Sequence, residues 1–159
     1  MSLKNLRLGI YGGLAGGLFF GALMGMMGML PMIGQMVGVP SAAAGFAVHM
    51  LISAAIGAAF ALLLGRAASA LKGAIGAGVA YGAGWWLLGP LTLMPVLMGM
   101  RLGANWNAHA VAQNVPSLMG HVLFGAVLGL TYHRLLRGAG TEEAAAERLD
   151  VACREAGAC

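Results

Sequence analysis

Carboxylates are missing from almost the whole chain. The five acidic residues, Glu142, Glu143, Glu147, Asp150 and Glu155, all lie near the C-terminus, so residues 1–141 carry basic side chains and no acidic one. That absence excludes paired-carboxylate catalysis, carboxylate proton relays and all-carboxylate metal cages from most of the molecule. Charge of either sign is scarce: 9% of residues are Asp, Glu, Lys or Arg and 60% are hydrophobic, against about a quarter charged in an ordinary soluble domain. A water-soluble globule is excluded by that balance, and packed membrane helices are expected. No P-loop, GxSxG, HExxH or CxxCH motif occurs, so an enzyme is not expected. Cysteine is limited to Cys153 and Cys159. They lack a CxxC-and-histidine cluster and are expected to be free thiols in a reducing compartment. With five prolines and no G-X-Y period, the 27 glycines belong neither to collagen nor to a disordered linker.

What is present is a series of long apolar runs. A hydrocarbon core about 30 Å thick needs about 20 apolar helical residues. Four such runs are available, roughly Leu8 to Leu30, Ala42 to Leu64, Gly73 to Leu97 and Ser117 to Leu136. The first is too long for the h-region of a cleaved signal peptide and is expected to be retained. Basic residues sit before the first run (Lys4, Arg7), between the second and third (Arg66, Lys72) and after the fourth (Arg134, Arg137), whereas the other two connections hold Arg101 alone. The positive-inside bias therefore predicts a multi-pass bacterial inner-membrane protein with both termini cytoplasmic. The net charge of +4 is accounted for by those flanks and by anionic headgroups, and no nucleic-acid partner is expected. Residues 138–159 read as a short cytoplasmic tail helix, with Thr141 as N-cap and Glu142 and Glu143 in its first turn.

The second half resembles the first. Gly17, Phe20 and Gly21 match Gly78, Tyr81 and Gly82; Val39-Pro40-Ser41 matches Val115-Pro116-Ser117; His49, Ser53, Gly57 and Phe60 fall beside His121, Gly125, Gly129 and Tyr132. The expected fold is an all-α membrane four-helix bundle built from two tandem hairpins, about 8–66 and 73–137, within a membrane domain spanning 1–137. Hairpins with an even number of crossings keep one orientation, which gives a pseudo-twofold axis along the bilayer normal. Gly9, Gly13, Gly17, Gly21 and Gly25 form a small-residue stripe on the first span, and His49 and His121 lie on similar stripes of the second and fourth. The strings MLPMIGQMVGVPSAAAGFAVHMLISAAIGAAF and VPSLMGHVLFGAVLGLTYH resemble small four-span bacterial inner-membrane proteins over about residues 8–137. The resemblance implies the fold and carries no activity with it.

Two constellations carry chemistry. An imidazole within a membrane span is a functional hypothesis by default. His49 and His121, facing across the axis, could supply both axial ligands of a haem b, with Ser53, Gly57, Gly125 and Gly129 leaving room for the macrocycle and Arg101 reaching a propionate. The bland reading is that each histidine donates to a carbonyl and that the glycines bring backbones together. The second constellation is methionine: apart from Met1, every one lies in the outer half or its loops. Thioethers with imidazoles suit Cu(I), so His49, His121, Met50 and Met119 form a candidate copper site, although methionine also serves as an adaptable filler. His133, beside Arg134, is expected to be solvated or at the headgroups, and His109 to lie on a loop surface. The functional expectations are thus a haem-binding subunit, a non-catalytic packing or assembly subunit in a homo-oligomer or larger membrane complex, and a copper-handling protein.

Overall fold

The computed structural model describes residues 3–155, which contain helices and no strand. The first helix, α1 (Leu3–Met26), stops at Gly28, whose φ of +68° suits a residue without a Cβ. The Met29 N–H then donates to the Met24 carbonyl at 2.9 Å, closing the helix end. A short helix, α2 (Leu30–Gln35), follows with Pro31 in its first turn, so the connection between the first two long helices is partly helical. Helix α3 (Ala42–Leu64) coincides with the expected second span and is capped by Ser41, whose hydroxyl accepts from the Ala44 N–H at 3.2 Å.

The expected third span is divided. Helix α4 (Leu71–Leu88) passes into a π-helical turn at Gly89–Leu93 and then a single turn, α5 (Met94–Leu97). Pro90 has no N–H to continue the regular ladder, and a π turn absorbs the missing bond. After α6 (Ala108–Gln113), helix α7 runs from Val115 to Glu155, 41 residues without interruption. The separate tail helix is therefore corrected: residues 138–155 extend the fourth apolar helix, and Thr141 is an interior residue whose hydroxyl donates to the Gly138 carbonyl at 2.7 Å. Cys153 is disulfide-bonded, not the free thiol expected, and Cys159 lies outside the described residues.

Helices α1, α3 and α7 are long and apolar enough to cross a membrane. Their packing is set by glycine. A Cβ on Gly9 would meet Ala61 Cβ at 2.6 Å, and one on Gly13 would meet Gly57 Cα at 2.8 Å, so α1 and α3 are in backbone contact. A second stripe on α1 faces α7, where a Cβ on Gly12 would lie 2.9 Å from Leu128 and one on Gly16 would lie 2.7 Å from the Phe124 carbonyl. Helices α4 and α7 meet the same way, through Gly78 and Gly82 against Gly125 and Gly129. Without a hydrophobic drive between helices in lipid, such close approach supplies the dispersion that holds them together. Towards the end of the molecule that carries the α3–α4 connection, Phe60, Leu128 and Tyr132 are almost fully enclosed, with Phe60 edge-on to Tyr132 at 5.8 Å and to Tyr81 at 5.4 Å.

Candidate functional site

The two span histidines do come to one place. Phe20, on α1, contacts both: its ring centroid is 5.5 Å from that of His49 at 83° and 4.8 Å from that of His121 at 66°. His49, buried on α3, donates from Nε2 to the Gly17 carbonyl of α1 at 2.9 Å. His121, half-buried on α7, donates from Nδ1 to the Ser117 carbonyl one turn back at 2.8 Å. Each imidazole thus satisfies a carbonyl, one across a helix seam and one within its own helix, and one aromatic ring packs against both. A Cβ on Gly120 would fall on the Phe20 ring, so α7 lacks a side chain where the phenyl wedge enters.

The small residues expected to make room for a macrocycle lie in the seams. Ser53 packs on Gly17, and a Cβ at Gly17 would sit 2.5 Å from its hydroxyl. Gly57 abuts Gly9 and Gly13, Gly125 abuts Gly78 and Gly82, and Gly129 abuts Ala74 and Gly78. All four sit where a neighbouring helix comes close. Arg101 is exposed in the connection between α5 and α6. That connection spends its polar groups on itself: Asn107 caps α6 by accepting from the Ala110 N–H at 3.0 Å, and Asn114 donates to the Ala110 carbonyl at 2.9 Å. The Trp86 indole donates to the Asn114 carbonyl at 3.0 Å, tying α4 to the start of α7.

The proposed thioether donors diverge. Met50 is half-buried, with its sulfur 3.5 Å from where a Cβ on Gly17 would stand, whereas Met119 is 71% exposed. No group of three or more His, Cys, Asp or Glu able to hold a metal occurs among the described residues. His133 requires correction: it is buried and donates from Nδ1 to the Ala68 carbonyl at 2.9 Å, because the turn Ala67–Ser69 folds over α7 and offers a free acceptor. His109 is exposed on α6, as a surface residue should be.

Phe20, Gly12 and Gly16 were not singled out by the sequence as parts of a site or seam. Phe20 had a signal, its place in the repeated Gly17-to-Gly21 block, but its role depends on two histidines from other helices. Comparison of the chain with protein-family models, with curated proteins and with solved structures finds no match.

Proposed function

We propose that the chain is a four-helix membrane bundle of two tandem hairpins, both termini cytoplasmic, that serves as a non-catalytic packing or assembly subunit of a membrane complex. The observation that carries this reading is the packing of Phe20 edge-on against both His49 and His121, with each imidazole hydrogen-bonded to a carbonyl. Such an arrangement suits a rigid internal joint. The fourth crossing is α4 with the turns that follow it, which together run to Leu97.

Equivalent contacts support the duplication. The repeat pairs Gly17 with Gly78, Ser53 with Gly125, Gly21 with Gly82 and His49 with His121. Gly17 packs on Ser53 as Gly78 packs on Gly125, and Gly21 packs on His49 as Gly82 packs on His121. For a docking surface, the favoured region is the methionine-rich outer rim, where Met26, Met27, Met98, Met100 and Met119 are exposed. Flexible thioether side chains adapt to a partner without a preformed pocket.

The test is purification of the full chain from membranes in a mild detergent, followed by a visible spectrum, metal analysis and identification of stoichiometric companions. The expected result is a companion held in fixed ratio and lost when Met98, Met100 and Met119 are changed together to Ser. A Soret band that vanishes in His49→Ala or His121→Ala, or stoichiometric copper after anaerobic Cu(I) loading, overturns the reading in favour of the haem or copper alternative.

A further inference from the structure

The far end of α7 carries a covalent bond as well as a helix. Cys153 is disulfide-bonded, and the sequence holds one other cysteine, Cys159, so within the chain the bridge closes a ring over residues 153–159. An α-helix cannot contain such a ring. Six helical steps advance about 9 Å along the axis, whereas a disulfide joins Cα atoms roughly 4.4–6.8 Å apart. The helix holds through Cys153 to Glu155, so a closed bridge limits how far it can run and ties its last turn to the chain beyond. Apart from the bridge, that turn is held by its own backbone ladder and by Arg154, which pairs with Asp150 at 2.9 Å on the surface, where such a pair contributes little.

Every residue from Gly140 to Ala152 is exposed and Cys153 is half-buried, so the bridge sits on a solvated segment within reach of a soluble reagent. In a reducing compartment a disulfide is transient, and it serves catalysis or sensing. A ring this short also re-forms readily, because its ends are never far apart. We propose that Cys153 and Cys159 form a reversible redox switch at the tip of α7, which fastens the last turn when closed and releases it when open. Opening is exchange with a dithiol reductant. A reductant thiolate attacks one bridge sulfur, the other sulfur leaves and takes a proton, and the second reductant thiolate then displaces the first sulfur. The bridge gains two electrons and two protons, and the reductant becomes a disulfide. Closing uses a hydroperoxide: one thiolate attacks the peroxide oxygen, a proton is taken up, and a sulfenic acid and an alcohol or water form. The second thiol then displaces water from the sulfenic sulfur. The switch rests on the cytoplasmic placement of the tail proposed above, and not on the assembly role.

Acid-quenching cells that express the full chain, then labelling its thiols with a polyethylene-glycol maleimide, tests the switch. Both thiols should be free in unstressed cells, bridged after a hydrogen peroxide pulse, and free again on recovery. In the detergent-purified chain, dithiothreitol should speed amide hydrogen exchange from Val151 to Glu155 by about tenfold or more, with no change near Leu128. Cys153→Ser and Cys159→Ser should each exchange at the reduced rate whether or not peroxide is added. A bridge already closed in unstressed cells, thiols still free after the pulse, a peroxide-induced disulfide that joins two chains, or exchange indifferent to dithiothreitol overturns the switch. A reporter fused after Arg137 separates the two failures. A permanently closed bridge with an external reading sinks the placement as well, and with a cytoplasmic reading it sinks the switch alone.

Discussion

Glycine in this molecule comes in two kinds, and substitution distinguishes them. A Cβ at Gly125 would drive into the Gly78 backbone, with Gly78 C only 2.7 Å away, whereas Gly76 and Gly84 face open space. Gly125→Val should therefore cost about 1–3 kcal/mol or more through overpacking and broaden the size-exclusion peak in detergent. Gly76→Ala should raise thermal stability slightly, by at most about 1 kcal/mol, through helix propensity. The period-four stripe of α1 was legible because periodicity is a property of one helix. Which glycine meets which partner was not, since that depends on helix rotation. The histidines divide in the same way. Both stand on small-residue stripes, which the sequence shows, but their common contact with Phe20 could not be read from it. Phe20→Ala removes the wedge, so haemin titration should give an absorbance change larger than in wild type if the imidazoles can reorient; spectra identical to wild type would show that the Gly17 and Ser117 carbonyls hold them.

Among the elements, α7 departs most from what its sequence suggests. Thr141 reads as the cap of a separate helix, yet α7 continues through it and through Gly138 and Gly140. Interior glycines weaken a helix by about 1 kcal/mol each relative to alanine, so something must offset the weak stretch. Lys4 does this from α1: its ammonium donates to the Ala139 carbonyl at 3.2 Å and pairs with Glu143 at 2.8 Å. The pair is partly exposed and worth at most about 1 kcal/mol, comparable with the local deficit. Lys4→Ala should speed amide hydrogen exchange at Gly140 to Glu143 without changing it near Leu128. Adding Gly138→Ala and Gly140→Ala should restore the slow exchange. If Lys4→Ala leaves exchange at those amides unchanged, the splint has no effect. The ends of α3 were legible because Ser41 and the apolar run agree. The end of α4 was less so, because Pro90 can end a helix or be absorbed in a π turn, and here the second occurs.

At the scale of the whole molecule, long apolar helices were dictated by composition, and the order of elements followed from the runs. The unequal closure of the α1–α7 and α3–α4 sides was not, because Tyr81 and Phe60 meet on the α3–α4 side whereas Gly12 and Gly16 close the α1–α7 side. The orientation drawn from Lys4, Arg66, Lys72 and Arg137 is open to direct test. Reporter fusions in the Gly65-to-Ala70 connection and after Arg137 should read as cytoplasmic, and one near Asn105 as external. A fusion near Asn105 that reads as cytoplasmic would reverse the assignment.

The unbroken course of α7 has a mechanical corollary. At 1.5 Å per residue, the 14 residues from Glu142 to Glu155 form a rod of about 21 Å, joined without a hinge to the stretch wedged by Phe20. Any tilt of the apolar half is carried to the tip as a sideways sweep. A neighbour gripping the acidic end would sense the attitude of the buried portion as a pointer registers the movement of its axle.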